Sequence, residues 1–201
     1  MMQKIGIMGG SFDPVHNGHI ALAEAARDEL GLDRVFVIPA GRQPFKLDKK
    51  MTPPEQRYEM VRLACEGKKD LTVSDFEIKS PEISYTKNTL DAFHEKFGED
   101  TEIYFITGTD AFIHMNTWMC GEELLRNYRV VVGTRPGYRT QELTEAAERF
   151  EKLGASISRV NNRQIDISAT ELREMAEAGL PLGKYVCGAV ERYIRENGLY
   201  K

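Results

Sequence analysis

Apolar positions along the chain fall into two alternating kinds of run. Lys4 to Met8 (KIGIM), Arg34 to Ile38 (RVFVI), Leu71 to Ser74, Glu102 to Thr107 (EIYFIT) and Arg129 to Gly133 (RVVVG) are short runs that read as strands. Between them lie stretches with helical period. From Gly18 to Leu30 the apolar positions are Ile20, Leu22, Ala23, Ala26 and Leu30. Pro53-Pro54 opens a second helix through Tyr58, Met60, Val61 and Leu63, since proline is favoured in a first helical turn. Leu90 to Phe97 and Glu122 to Arg126 also read as helical, and the C-terminal third is more helical, near Ala169 to Ala178 and Ala189 to Asn197. Runs such as VFVI and VVV are apolar at every position, which predicts strands covered on both faces. Strand and helix alternation then predicts a doubly wound α/β fold, with a mainly parallel sheet and a helical C-terminal part. Ligands of such a sheet are expected at the carboxyl ends of its strands. No repeat, low-complexity tract or linker divides the sequence, so residues 1–201 are expected to form one domain.

Composition narrows the class. At 41% hydrophobic and 29% charged, the 201 residues suffice for a core and a solvated surface. The net charge of −4 argues against nucleic acid as a partner, yet allows a local basic pocket for phosphates. MMQKIGIMGG lacks the apolar stretch and cleavage site of a signal peptide, and no window reaches the roughly 20 apolar residues of a membrane span. Cys65, Cys120 and Cys187 are odd in number, far apart and in no metal-ligand spacing, so reduced thiols and a cytoplasmic location are expected.

Candidate chemistry concentrates in Gly9 to His19, GGSFDPVHNGH, directly after the first strand. Gly9 and Gly10 allow close approach of backbone to a ligand. Helix onset near Asn17 and Gly18 aims amides and a positive dipole end at the same place. His16 and His19, three apart, share a face there and suit phosphate oxygens. GxGxxG and GxxxxGK[ST] are both absent, which disfavours a dinucleotide fingerprint and a Walker loop. A zinc site at His16 and His19 lacks a third ligand nearby, so no protein-held metal is expected. In Ile167 to Arg173, ISATELR, Ser168 and Glu171 form a capping-box pattern. A phosphate at that helix start is a further reading, with Ser168 and Thr170 as hydroxyl donors and Arg173 as a forked one. Lys46 (in GRQPFK) is by itself a loop lysine. Asp110, in TGTD at the end of EIYFI, either accepts ribose hydroxyls or caps a helix. Trp118 is the only tryptophan, and Arg135 follows VVVG in a turn where it could meet a ligand anion.

Taken together, His16-Asn17-Gly18-His19 and Ser168 to Arg173 resemble the HxGH and ISSTxxR signatures of a nucleotidyltransferase superfamily, with Ala169 in place of the usual second serine. Within it the chain resembles the bacterial nicotinate-nucleotide adenylyltransferases, from Met2 almost to the end, through FDPVHNGH, the loop lysine, SYT at Ser84 to Thr86, TGTD, Trp118 and RPG. The resemblance implies a Rossmann-like fold and transfer of the AMP part of ATP to nicotinate mononucleotide by direct in-line attack on the α-phosphate. It implies catalytic roles for His16, His19, Lys46 and Arg173, and an ATP site of Gly9, Gly10, Ser11, Phe12, Gly18, Gly108, Asp110, Ile167, Ser168 and Thr170. Ser84, Tyr85, Thr86, Trp118 and Arg135 would receive the mononucleotide, Trp118 by stacking on the pyridine. The implied cofactor is Mg²⁺ carried on the ATP phosphates. Implied partners are the two substrates, neither nucleic acid nor membrane, with a homo-oligomer allowed. The competing readings are an adenylyltransferase for pantetheine phosphate, in which Trp118 and RPG have no place, and a nucleotide-binding regulator, which would not need HxGH and Arg173 intact.

Overall fold

Each of the five apolar runs forms a strand, and a sixth strand joins them. They are β1 (Gln3–Gly10), β2 (Arg34–Pro39), β3 (Leu71–Val73), β4 (Thr101–Gly108), β5 (Arg129–Thr134) and β6 (Ser156–Asn161). The structure, a computed structural model, describes residues 2–44, 51–134, 139–161 and 167–201. The six strands pair in parallel in the order β3-β2-β1-β4-β5-β6. Helices among the described residues are α1 (Asn17–Leu30), α2 (Pro54–Cys65), α3 (Phe76–Lys79), α4 (Thr86–Phe97) and α5 (Thr109–Ile113). They continue with α6 (Gly121–Asn127), α7 (Thr140–Lys152), α8 (Ala169–Glu177) and α9 (Gly188–Glu196).

Period-two alternation in the central strands builds two cores. Met8, Val35, Val37, Tyr104, Ile106 and Val131 face one layer, which takes Ile20, Leu22 and Ala23 of α1, Met60 and Val61 of α2, and residues of α8 and α9. Ile5, Ile7, Phe36, Ile38, Ile103, Phe105, Val130 and Val132 face the other, with α4, α5, α6 and α7. Both faces are covered, so the runs are apolar throughout. Gly133 lets α1 lie close on β5, since a Cβ there would come within 2.6 Å of Leu22 Cδ1.

Four elements lie outside the runs read from the sequence: the short α3 and α5, together with α7 and β6. On α7 the buried residues Leu143, Ala146, Ala147 and Phe150 do keep helical spacing, two of them being small alanines. β6 is an edge strand, SISRVN, in which only Val160 is buried, so it has no apolar run to betray it. Cys65, Cys120 and Cys187 are free thiols, and burial pushes the Cys65 thiol up to about 11. Among the described residues, no helix is long and apolar enough to cross a membrane.

Strand order reverses between β1 and β4. The chain leaves β1 for α1 in one layer and leaves β4 for α5 in the other. Loops therefore part at the carboxyl ends of these neighbouring strands, opening a crevice over Gly9, Gly10, Thr107 and Gly108.

Candidate functional site

The crevice consists of two adjoining cavities, of about 400 Å³ and about 450 Å³. Gly9, Gly10, Thr107 and Ala111 line both, so the strand ends form their common floor. A Cβ at Gly9 or Gly108 would have no neighbour within 4 Å and would project into this space. Gly10 has a different reason: a Cβ there would come within 3.0 Å of the Phe12 ring. Phe12, held in the left-handed region at φ 48, lays that ring over Gly10 and meets His19 edge-on at 5.0 Å.

The larger cavity takes its walls from Phe12, His16, Gly18, His19, Gly108, Asp110, Ile167 and Ser168, among others. His16 is the N-cap of α1, and the two imidazoles stack at 3.6 Å between centroids. The His16 backbone N–H donates to His19 Nδ1 at 3.2 Å. That bond leaves the proton of a neutral His19 ring on Nε2. No acidic residue occupies the first turn of α1, so its positive end stays uncompensated by the helix's own side chains.

Across the cavity, Ser168 caps α8 as its sequence predicts. Its N–H donates to Glu171 Oε2 at 2.7 Å, its hydroxyl donates to the same oxygen at 2.6 Å, and it accepts the Glu171 N–H at 3.2 Å. These bonds hold the Glu171 carboxyl below its ordinary range. A phosphate that takes the Ser168 hydroxyl must therefore displace Glu171. Arg173 and Thr170 stand behind the loop rather than in the cavity wall: Arg173 Nη1 donates to the Asp13 carbonyl at 2.7 Å and Nη2 to Thr170 Oγ1 at 3.0 Å. Ser11 also stands back from the wall and bonds Gln43. Asp110 lies in the first turn of α5, with Arg139 Nη1 donating to it at 2.8 Å. Lys46 and Arg135 lie outside the described residues.

The second cavity gathers Ser84, Tyr85, Thr86 and Trp118, four of the five residues that the resemblance groups at the mononucleotide. Trp118 stands edge-on to Phe105 at 6.1 Å and presents its remaining surface to this space. Ser84 and Tyr85 precede α4, whose N-terminus has no side-chain cap and no acidic residue in its first turn. Glu77 also lines this cavity, buried, and accepts from Thr89 Oγ1 at 2.7 Å. Burial pushes its carboxyl up, opposed by the bonds from Thr89 and Ser84 and by the Arg57 charge. Gly41 is needed here for close approach, because a Cβ would come within 2.3 Å of the Glu77 carbonyl.

A family model described as cytidylyltransferase-like matches residues 7–175. A protein of Thermoanaerobacter sp. (strain X514) named "probable nicotinate-nucleotide adenylyltransferase" is 40% identical over 199 residues, 98% of this chain and 94% of its own. One of the same name from Roseiflexus sp. (strain RS-1) is 42% identical over 197 residues, 98% of each. The chain belongs to the nicotinate-nucleotide adenylyltransferase family. The Plasmodium falciparum nicotinic acid mononucleotide adenylyltransferase, solved in complex with NaAD, shares the fold of this family member at a TM-score of 0.81 and 20% identity, covering 98% of this chain and 97% of that one.

In this nicotinate-nucleotide adenylyltransferase family member, a residue outside the sequence motifs ties together the loops after β1 and β2. Arg57 of α2 is 2% exposed. It donates to Thr52 O at 2.9 Å, Ser11 O at 2.7 Å, Ala40 O at 2.6 Å and Gly41 O at 3.2 Å. Burial holds the guanidinium below its usual range, and the nearby acidic groups, Asp13 foremost, oppose that. The signal was present: Arg57, Met60, Val61 and Ala64 share one buried stripe of α2, and a charge on an apolar stripe needs partners.

Proposed function

We propose that this chain transfers the AMP part of ATP to nicotinate mononucleotide, releasing pyrophosphate and forming the deamido dinucleotide of NAD synthesis. What carries the reading is the pair of cavities joined at Gly9 and Gly10, with His16 and His19 in the wall of the larger one. Two nucleotides placed in them meet phosphate to phosphate. The names of the relatives support it, as does the neighbour solved with NaAD. A phosphate oxygen of the mononucleotide attacks the α-phosphorus of ATP in line, and the bond to the β-phosphate oxygen breaks. No protein nucleophile takes part, so positioning and charge stabilisation lower the barrier.

His19 donates through Nε2 to the α-phosphate as negative charge gathers there, and His16 buttresses the ring. Gly9, Gly10, Ser11, Phe12, Gly18, Gly108, Asp110 and Ile167 shape the ATP side. Ser168 and Lys46 hold the triphosphate, and Thr170 and Arg173 turn to it from behind the loop once their mutual bond opens. Ser84, Tyr85, Thr86, Trp118 and Arg135 hold the mononucleotide, with the α4 amides facing the nicotinate carboxylate. Among the described residues no group of three or more His, Cys, Asp and Glu is placed to hold a metal. Mg²⁺ would ride on the ATP phosphates, where it would screen their charge. The cytoplasm supplies both substrates.

The test is incubation with ATP, Mg²⁺ and each candidate phosphate, with identification of the products. Dinucleotide and pyrophosphate are expected with nicotinate mononucleotide, and kcat in His19→Ala is expected to fall about a hundredfold without loss of fold. Pyrophosphate released only with pantetheine phosphate would overturn the assignment.

A further inference from the structure

Residue 200 reaches the loop at residue 13, far away in sequence. The Tyr200 hydroxyl donates to Asp13 Oδ1 at 2.7 Å and lies 4.0 Å from Met60 S. Asp13 is 5% exposed and sits between Phe12 and His16, in the loop whose Phe12 and His16 wall the ATP side. Its second carboxylate oxygen accepts the Thr52 N–H at 3.3 Å, and its backbone carbonyl accepts Arg173 Nη1 at 2.7 Å. One aspartate thus joins the segment ahead of α2, the α8 arginine and the segment after α9.

That last segment is built to present the phenol. Leu199 N donates to Ile194 O at 3.0 Å, and Leu199 and Tyr200 both pack on the core beneath α1 and α2. Tyr200 holds φ at 65, a region a non-glycine residue keeps only where its surroundings over-determine it. Burial pushes the phenol up, so it stays a donor at neutral pH, and the Arg173 charge is close enough to act on it. A buried carboxylate oxygen left without its donor must move or take up water, and here movement reaches the loop of the two histidines.

We propose that Tyr200 is a positioning residue for the transfer: it latches Asp13, and through Asp13 fixes the His16–His19 loop and the Arg173 guanidinium. It touches neither substrate. The proposal rests on the adenylyl-transfer reading for its catalytic part, but the latch itself is measurable without turnover.

The experiment compares the parent with Tyr200→Phe, which keeps the ring, and with Leu199→Ala, which loosens the same segment without touching Asp13. Amide hydrogen exchange over residues 10–19, kcat, KM for each substrate and thermal unfolding are measured on all three. In Tyr200→Phe the loop should exchange faster and kcat/KM for ATP should fall about tenfold, with KM for the mononucleotide unchanged. Leu199→Ala should lower the unfolding temperature while keeping loop exchange and kcat. Unchanged loop exchange in Tyr200→Phe would overturn the latch whatever the turnover. Equal loss of kcat in Leu199→Ala would overturn a role specific to the phenol. A parent that loosens on Tyr200→Phe yet makes no dinucleotide would sink the reaction and, with it, the catalytic part of this proposal.

Discussion

Glu77 shows how far a single side chain can be pushed by its surroundings. It is an acid in the wall of the second cavity, with Thr89 and Ser84 donating to it and Arg57 nearby, yet burial outweighs these and raises its carboxyl above the ordinary 4.5. The folded protein therefore keeps this proton to higher pH than the unfolded chain does. The resulting stability is fully present below about pH 4.5 and is lost as pH rises through the folded value. Glu59, held down by its bond from Arg62, and Glu102, held down by Tyr104 and then Arg129, slope the other way. A comparison with Glu77→Gln cancels those groups. Between pH 4.5 and neutrality, the urea midpoint of the parent should fall relative to that of Glu77→Gln. Parallel profiles would mean that Glu77 titrates alike folded and unfolded. Sequence shows that Glu77 is an acid next to the apolar Phe76 and Ile78; only the packing of Thr89 and Gly41 around it says that it is buried.

At the scale of elements, α2 acts through one residue as a clamp on two loops. The Arg57 fork holds Ser11 after β1, Ala40 and Gly41 after β2, and Thr52 ahead of its own helix. A lysine keeps the charge, but one ammonium cannot span carbonyls set apart for a planar fork. Arg57→Lys should destabilise the fold by about 3 kcal/mol, since it leaves buried acceptors and a poorly paired charge, and should raise KM for both substrates. Chemical unfolding and steady-state kinetics check this. A loss below about 1 kcal/mol would mean that water replaces the missing bonds. The helix boundaries themselves were largely legible. Pro53-Pro54 starts α2, and Ser168 with Glu171 starts α8, because caps and turn residues act within a few positions.

At the scale of the whole molecule, a chain of net charge −4 must gather a triphosphate, a phosphate and a carboxylate in one crevice. Its topology does this with backbone as well as side chains. In a doubly wound sheet each helix after a strand begins near the strand's carboxyl end, and the first residues of α1, α4 and α8 all border the cavities. α4 carries no acidic residue in its first turn to cancel its positive end. A nicotinate carboxylate there should gain ~1–2 kcal/mol over a carboxamide of the same shape. kcat/KM is therefore expected to favour nicotinate over nicotinamide mononucleotide by about tenfold or more. Equal values, or a preference for the amide, would show that the α4 terminus does not receive the carboxylate.

Sequence by itself determined most of the elements and where its two motifs sit at their ends. Continuous apolar runs of doubly covered strands and the 3.6-residue period of helices are local consequences of backbone geometry, so β1, β2, β4, β5, α1 and α2 could be read directly. The helix starts in GGSFDPVHNGH and ISATELR could be read for a related reason, since turns and caps act within a few positions. β6 could not, because an edge strand with one buried residue has no period to show. Tertiary structure alone decided that the two motifs face each other, that Arg57 spends its donors on backbone, and that Tyr200 reaches Asp13. The Arg57 partners lie 5 to 46 positions away and Tyr200 lies 187 from Asp13, and what brings them together is burial: a polar group taken from water must bond to whatever the packed chain places beside it.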